Sequence, residues 1–349
     1  MIVGRLAPSP TGLLHLGNVR SLALAYLAAR AVGGRLYLRI EDLLPGLDAH
    51  IAPLLQDLEW LGLDCDPAPA DPFATELRPW WKQSERAPLF ATIVQDLLAA
   101  GAAYPCVCTR KDIERAALAP HAEDLAAAYP GTCRDRFASL TEAQLFETGR
   151  ARHEQRPDLG VAVRLRVPPG ELSFDDLCHA HQVSDVAGQA GDIVIQRKDG
   201  GFAYMLAVVV DDLAMGVDQV VRGDDLREVT GQQVAVLSAL AALAPIHRGA
   251  SPADAVYLAA QRRQPPQYAH VPLVLGDDGR RLAKRNQSLH LRQLRTAGVA
   301  AAAIRSWVLQ SIGVNGALDW VAAAAAFDWT RLPPDPVVFG AADLAALTA

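Results

Sequence analysis

The stretch Arg5-Leu-Ala-Pro-Ser-Pro-Thr-Gly-Leu-Leu-His-Leu-Gly-Asn18 decides the fold of this chain. At its start, residues 2–7 are short and apolar, which predicts a strand that the prolines and Gly12 end. After it, apolar residues recur with helical spacing over residues 19–27. A glycine-containing turn between a strand and a helix N-terminus leaves backbone N–H groups free, and with an imidazole such as His15 these groups can hold a triphosphate. The stretch therefore predicts a nucleotide site.

A second predicted strand brings an acidic group to the same place. Residues 35–40 alternate leucine and isoleucine with polar or amphipathic residues, and Glu41-Asp42 follows directly. Open parallel sheets bind ligands at the carboxyl ends of their strands. We therefore expect Arg5, His15 and Glu41 to converge on one crevice.

The rest of the chain predicts an α/β protein whose parallel sheet is interrupted once. We interpret residues 1–103 as the first half of a Rossmann-type core and residues 104–190 as an α+β insertion, because periodicity weakens there. Residues 191–245 read as the second half, with strands at 192–195 and 219–222 and a helix over 226–243 that Asp224 and Asp225 would cap. Residues 246–349 are expected to form a short helical C-terminal segment.

Composition limits the class of protein. With 349 residues and 51% hydrophobic side chains, the chain can bury a sizeable core in about two domains. No apolar run approaches the roughly 20 residues of a membrane helix, and no export signal opens the chain, so we expect a cytoplasmic protein without a membrane partner. A net charge of −6 means that any nucleic-acid contact needs a local basic surface.

Six ordered blocks carry a family resemblance. They are the opening stretch, Arg39-Ile-Glu-Asp42, the block from Asp199 to Asp212, Val221-Arg-Gly-Asp-Asp-Leu226, Tyr268-Ala-His-Val-Pro-Leu273, and Arg281-Leu-Ala-Lys-Arg285. The opening block resembles the HIGH signature of class I aminoacyl-tRNA synthetases in their glutamyl form, and the last block resembles the KMSKS loop. The resemblance implies a class I synthetase fold and an enzyme.

The end of the chain refines this resemblance. Only 64 residues follow Arg285, too few for the helical anticodon-binding region of a full glutamyl-tRNA synthetase, so no such domain is expected. The chain most resembles the truncated glutamyl-queuosine tRNA(Asp) synthetase family. That resemblance implies activation of L-glutamate with ATP without tRNA, then transfer to queuosine in the anticodon of tRNA(Asp), by a protein we expect to be a monomer. Magnesium would accompany ATP and neutralise phosphate charge.

The resemblance also assigns the nucleotide chemistry. It gives His15 and Lys284 the catalytic role of stabilising charge at the α-phosphate, and it places Gly17 and Asn18 with them in the ATP site. The chain departs from the usual motifs at Asn18, at Arg281 and at Ala283. In the KMSKS-like loop, Arg281 keeps the positive charge of the usual lysine, whereas Ala283 lacks the hydroxyl group of the usual serine.

Glutamate carries two carboxylates and one ammonium, so a selective pocket needs about two cationic groups and one anion, with guanidinium favoured for carboxylates. We assign Glu41 to the ammonium group and the arginines to the carboxylates, without deciding which arginine takes which. The resemblance places these residues in the amino-acid site: Arg5, Leu6, Ala7, Pro8, Ser9, Glu41, Tyr204 and Arg222.

Five cysteines in a chain without an export signal argue against a disulfide framework. By resemblance, Cys106, Cys108, Tyr129 and Cys133 form a structural zinc site, with His121 as a competing fourth ligand. Cys65 and Cys178 match no motif and are expected to be buried thiols.

Two alternative functions remain open. The chain could be a shortened glutamyl-tRNA synthetase that charges tRNA(Glu). It could also be a non-catalytic tRNA-binding module, because its KMSKS-like loop is altered. For any contact with RNA, the candidate basic residues lie in the insertion: Arg110, Lys111, Arg134, Arg136, Arg150 and Arg152.

Overall fold

The fold is given by a computed structural model that describes residues 1–117, 128–243, 251–282, 290–316 and 319–348. The strands are β1 (Val3–Leu6), β2 (Arg35–Ile40), β3 (Trp81–Lys82), β4 (Ala103–Cys106), β5 (Ala162–Leu165), β6 (Leu172–Asp176), β7 (Ala180–Ser184), β8 (Ile193–Gln196), β9 (Gln219–Gly223), β10 (Gln267–Val271), β11 (Val274–Leu275) and β12 (Val337–Val338). The α-helices are α1 (Leu16–Ala31), α2 (Ile51–Leu61), α3 (Ala87–Ala99), α4 (Arg110–Ala117), α5 (Leu140–His153), α6 (Val186–Gln189), α7 (Tyr204–Met215), α8 (Thr230–Ala242), α9 (Pro252–Arg262), α10 (Leu291–Thr296), α11 (Ala301–Ser311), α12 (Trp320–Ala326) and α13 (Ala341–Thr348).

A parallel sheet forms the core, as the sequence predicts. Strand β2 pairs in parallel with β1 and with β3, and β10 pairs in parallel with β9 and β6. Strand β7 extends the second group in the antiparallel direction. The two groups meet where the backbone N–H of Asp218 donates to the carbonyl of Val3 at 3.0 Å. This contact brings the carboxyl ends of β1 and β9 to the same edge, where Arg5 and Arg222 lie.

Strands on both sides of the predicted boundary between insertion and core, at residues 190 and 191, pair across that boundary. Strand β8, predicted in the second half of the core, pairs antiparallel with β5, which pairs antiparallel with β4 in a separate sheet. Residues 172–184, which the prediction places in the insertion without assigning strands to them, form β6 and β7, and β6 pairs with β10 of the core. A four-residue apolar run predicts a buried strand but does not specify its partner, because the partner is set by packing between distant segments.

The helical C-terminal segment packs on the core. Helix α1 is buried along most of its length, and its Tyr26 ring lies 6.0 Å from the ring of Trp320 in α12. The Trp320 indole N–H donates to the carbonyl of Leu61 at 2.7 Å, which joins α12 to the end of α2. These contacts belong to one apolar cluster that also includes α11, so the C-terminal helices stabilise the sheet half that carries α1.

Helix α8 begins at Thr230, four residues after the predicted start, and no side chain caps it. The prediction that Asp224 and Asp225 form its N-cap is wrong. Asp224 lies in a short 3₁₀ turn and pairs with Arg227 at 2.9 Å, and Asp225 pairs with Arg281 at 2.7 Å. The two carboxylates pair with arginine side chains outside α8 and do not accept the backbone N–H groups at the start of that helix.

Among the described residues, the structure contains no helix with the length and apolar character needed to cross a bilayer.

Candidate active site

A cavity of about 650 Å³ opens at the carboxyl edge of the parallel sheet. This volume lies in the range of sites for small molecules and cofactors. The cavity joins the turn after β1, the N-terminus of α1, the end of β2, and the start of the turn after β9. The predicted site residues that line it are Arg5, Ala7, Pro8, Ser9, His15, Gly17, Asn18, Glu41, Tyr204 and Arg222.

The N-terminus of α1 forms one side of the cavity, where the sequence predicts the nucleotide site. His15 is the N-cap: its Nδ1 accepts the backbone N–H of Asn18 at 3.4 Å, and the Asn18 side-chain oxygen accepts the backbone N–H of His15 at 3.3 Å. This reciprocal pair is a capping box built with histidine and asparagine. Because Nδ1 accepts a hydrogen bond, a neutral His15 carries its proton on Nε2, where it can donate to an anion. Asn18, a departure from the usual motif, thus fixes the histidine.

Gly17 leaves room for this imidazole. A Cβ atom at position 17 would lie 3.1 Å from both Cε1 and Nδ1 of His15. An alanine at position 17 must displace the ring by a few tenths of an ångström, so the catalytic role that the sequence predicts for His15 implies that Gly17→Ala lowers kcat of the ATP-dependent reaction by about tenfold. The check is ATP turnover against Gly149→Ala, a change in α5 where the added Cβ meets no atom within 4 Å. Equal rates for both variants would contradict this role.

Two arginines form the opposite side of the cavity. Arg5 donates from Nη1 to the carbonyl of Val221 at 3.2 Å, which places it beside the residue that precedes Arg222. Arg222 donates to the Thr230 hydroxyl at 2.7 Å and lies 3.5 Å from the Tyr204 hydroxyl. Both guanidinium groups are buried and line the same cavity. The structure therefore brings together two cations that are far apart in sequence.

A buried chain of alternating charges connects these cations to Glu41. Asp212 lies 3.6 Å from Arg5 and 2.6 Å from Arg39, and Arg39 donates to Glu41 at 3.2 Å. Burial raises the pKa of Glu41 more strongly than the charges of Arg39 and Arg5 lower it. The Ser9 hydroxyl donates to the second oxygen of Glu41 at 3.4 Å. The carboxylate is thus held in a fixed orientation on the wall of the cavity.

Three cysteines cluster at the start of the insertion. The sulfur atoms of Cys106, Cys108 and Cys133 lie within 4.8 Å of one another, with 3.5 Å between Cys108 and Cys133. The Tyr129 hydroxyl lies 3.4 Å from the sulfur of Cys106 and accepts the backbone N–H of Cys133 at 2.9 Å. Four donors around tetrahedral zinc at about 2.3 Å per bond would be about 3.8 Å apart, so these four residues fit the ion.

The surroundings of the cluster favour a thiolate at Cys106, whereas the hydrogen bonds to Cys106 and Cys133 raise the pKa of Cys108. Hydrogen bonds from Cys108 and Cys133 lower the pKa of Cys106, and the nearby Arg164 guanidinium acts in the same direction. Arg164 donates to the Cys106 sulfur at 3.3 Å and lies 3.6 Å from the centre of the Tyr129 ring. A cation in this position offsets the excess negative charge of three thiolates around a divalent ion.

Comparison with known proteins identifies the family. Residues 1–252 match the model of the class I tRNA synthetase catalytic domain for glutamate and glutamine. The glutamyl-Q tRNA(Asp) synthetase of Nitratidesulfovibrio vulgaris is 45% identical over 90% of this chain and 87% of its own length. The protein of that name from Symbiobacterium thermophilum is 37% identical over 100% of this chain and 99% of its own length. This chain belongs to the glutamyl-Q tRNA(Asp) synthetase family.

The fold agrees with membership of the glutamyl-Q tRNA(Asp) synthetase family. A crystal structure of a glutamate tRNA ligase from Elizabethkingia meningosepticum, in complex with its amino acid, matches with a TM-score of 0.70. The two sequences are 23% identical, and the match covers 98% of this chain and 68% of the ligase. This structural match shows the fold, and the family model together with the curated relatives shows that the chain is a ligase of the class I aminoacyl-tRNA synthetase type.

One described residue of the predicted amino-acid site, Leu6, does not line this cavity. The Leu6 side chain is fully buried in the apolar core, because alternate residues of β1 point to opposite faces of the sheet. Lys284 and His121 lie outside the described residues.

The structure adds residues that the sequence analysis missed. Arg39 pairs with Glu41 and Asp212 pairs with Arg5, although Arg39 begins the block Arg39–Asp42 and Asp212 ends the block Asp199–Asp212. His270 and Asp176 hold Arg222 from behind. A polar side chain inside an otherwise apolar strand, such as His270 in β10, is the signal that could have found this second pair.

Proposed function

We propose that this chain activates L-glutamate with ATP in the absence of tRNA, and then transfers the glutamyl group to queuosine in the anticodon of tRNA(Asp). The observation that carries the proposal is the convergence of Arg5 and Arg222 with Glu41 in one cavity beside the N-terminus of α1. The glutamyl-Q tRNA(Asp) synthetase names of the relatives support the acceptor.

In the first step, a carboxylate oxygen of glutamate attacks the α-phosphorus of ATP, and pyrophosphate leaves. Glu41 binds the ammonium group, and Arg5 and Arg222 bind the carboxylates, which orients the attacking oxygen. His15 and N–H groups at the start of α1 donate to the phosphate oxygens as negative charge develops. Magnesium bound with ATP neutralises phosphate charge. Lys284 is proposed to reach the same phosphates, by the KMSKS resemblance.

In the second step, the glutamyl group passes from the adenylate to a hydroxyl of queuosine and AMP leaves. The insertion is proposed to contact the RNA. Of its six predicted basic residues, Arg134 pairs with Asp192 at 3.4 Å and Arg150 pairs with Glu147 at 2.8 Å. These two stabilise the insertion itself. The exposed candidates for phosphate contact are Arg110, Lys111, Arg136 and Arg152.

Zinc is proposed to be structural. Its ligands would be Cys106, Cys108, Cys133 and Tyr129, so the ion would connect the end of β4 to the segment around Tyr129. That segment is joined in turn to the residues before β8, because the backbone N–H of Tyr129 donates to the carbonyl of Ala190 at 3.0 Å. When bound, zinc fixes the insertion rather than taking part in glutamate activation.

The role of Glu41 predicts that its side-chain charge is needed to bind glutamate. In Glu41→Gln the amide can keep the contacts with Arg39 and Ser9, but the anion for the ammonium group is lost. We expect the KM for glutamate to rise by about 10- to 100-fold, as for loss of a hydrogen bond to a charged group. The control is Glu59→Gln on the exposed face of α2, which should leave KM unchanged.

The same variant predicts a pH dependence of stability. Because the pKa of Glu41 is raised in the folded protein, the ionised carboxylate destabilises the fold above that pKa, and protonation relieves this as pH falls through it. The Tm of the wild type minus that of Glu41→Gln should therefore increase toward acid pH. A difference that decreases toward acid pH would contradict the assignment.

The acceptor is tested with labelled glutamate and purified tRNAs. We expect transfer to tRNA(Asp) that carries queuosine, and none to tRNA(Asp) that lacks it or to tRNA(Glu). Labelling of tRNA(Glu) at its 3′ end would instead identify a shortened glutamyl-tRNA synthetase. Binding of tRNA without transfer to any of the three would identify a non-catalytic module.

A further inference from the structure

Arg222 is held from behind by two acceptors that are not part of the cavity wall. Its Nε–H donates to Nε2 of His270 at 3.0 Å, and its Nη2–H donates to the Thr230 hydroxyl at 2.7 Å. His270 is the register partner of Arg222 across β10 and β9, so the two side chains lie on the same face of the sheet. The guanidinium group is thereby fixed on one side and faces the cavity on the other.

His270 is itself fixed by a carboxylate. Its Nδ1 is hydrogen-bonded to one oxygen of Asp176, and both residues are buried. The other oxygen of Asp176 accepts the backbone N–H groups of Cys178 at 2.8 Å and His179 at 3.0 Å. Burial lowers the pKa of His270, which keeps the imidazole neutral. The carboxylate holds the proton on Nδ1, and Nε2 is left with the lone pair that Arg222 needs.

We propose that Asp176 and His270 are positioning residues that orient Arg222 to bind a carboxylate of the substrate amino acid. The inference rests on the proposed function, in which Arg222 binds glutamate. An arginine whose planar fork is already oriented loses less side-chain entropy on binding, so its contribution to affinity is larger. In the opposite tautomer, His270 would direct an N–H at the N–H of Arg222 and repel it.

Asp176→Asn tests whether Asp176 orients Arg222 through His270, because asparagine has almost the same shape as aspartate. Two backbone N–H groups require the asparagine oxygen on their side, so the amide N–H₂ faces Nδ1 of His270 and drives the proton to Nε2. The matched control is Asp175→Asn, the adjacent residue of β6. Asp175 is exposed and makes the same kind of pair with the surface residue His181, at 2.8 Å.

Glutamate-dependent ATP–pyrophosphate exchange gives the readout. For Asp176→Asn we expect the KM for glutamate to rise by about 10- to 100-fold, with the KM for ATP unchanged within about twofold. Asp175→Asn should match the wild type. Equal glutamate KM values for the two variants, or a parallel rise in both substrates, would overturn the proposal. A wild type without glutamate-dependent exchange would instead refute the proposed function.

A second pair of variants separates positioning from a purely structural role. Gln at position 270 can offer an acceptor to Arg222 but does not reach Asp176, whereas Asn can bond to Asp176 but does not reach Arg222. Positioning predicts that His270→Gln binds glutamate more tightly than His270→Asn, by about tenfold. A structural role predicts the opposite order, with His270→Asn closer to the wild type in both Tm and KM. That second order would overturn the proposal even if Asp176→Asn fails to fold.

Discussion

Arg222→Ala is expected to lower kcat/KM for glutamate activation by about 10²- to 10⁴-fold. The change removes a buried cation from the cavity, and loss of one partner of a buried charge pair typically costs roughly 3–5 kcal/mol. It also removes the N–H groups that donate to Nε2 of His270 and to the Thr230 hydroxyl. Arg222→Lys should recover little of the activity, because an ammonium group cannot bind a carboxylate and two fixed acceptors in one plane.

The measurement is ATP–pyrophosphate exchange at varied glutamate concentration. The control is Arg262→Ala, which removes an exposed arginine at the end of α9. It should leave the exchange rate unchanged. An Arg222→Ala protein that keeps wild-type kcat/KM for glutamate would remove Arg222 from the amino-acid site and leave Arg5 as the sole candidate of the two.

Cys106→Ser is expected to abolish zinc binding, from one ion per chain in the wild type to none. Serine is neutral at pH 7 and is a poor ligand for zinc, so the remaining donors cannot complete the tetrahedron. Because the cluster ties the end of β4 to residues near Gly131, we also expect a lower Tm and faster proteolysis within the insertion. Metal analysis by mass spectrometry together with thermal unfolding measures both effects.

Two control sets sharpen the zinc prediction. Cys65→Ser and Cys178→Ser lie outside the cluster and should keep one zinc ion per chain. Tyr129→Phe removes only the hydroxyl that lies beside Cys106 and Cys108, and it should weaken zinc binding if Tyr129 is the fourth ligand. Full zinc affinity in Tyr129→Phe would exclude Tyr129, and His121 would then become the candidate. Absence of zinc from the wild type would refute the site altogether.

The sequence predicted the parts of the site that depend on local signals. The strand, turn and helix around His15 could be predicted because glycine, proline and apolar spacing act over a few residues. Glu41 and Arg222 could be predicted because Glu41 directly follows a predicted strand, Arg222 ends another, and both lie inside recognisable motifs. Cys106 and Cys108 carry a local signal of moderate strength, because two closely spaced cysteines can serve as ligands of one metal ion.

The features that the sequence did not predict depend on pairing between distant segments. Strand β8 has the apolar pattern of a core strand, yet it pairs with β5 of the insertion. Asp176 lies on β6, which the prediction placed in the insertion, and its contact with His270 exists only because β6 joins β10. The charge chain through Arg39 and Asp212 joins β2 to α7. None of these contacts leaves a pattern in the local spacing of residues.

The most direct test of the account is glutamate-dependent ATP–pyrophosphate exchange by the purified chain without tRNA. The convergence of two guanidinium groups and Glu41 beside the α1 N-terminus predicts exchange that requires glutamate and magnesium, and that neither glutamine nor aspartate supports. Exchange that appears only after tRNA is added, or that glutamine supports equally well, would contradict the account.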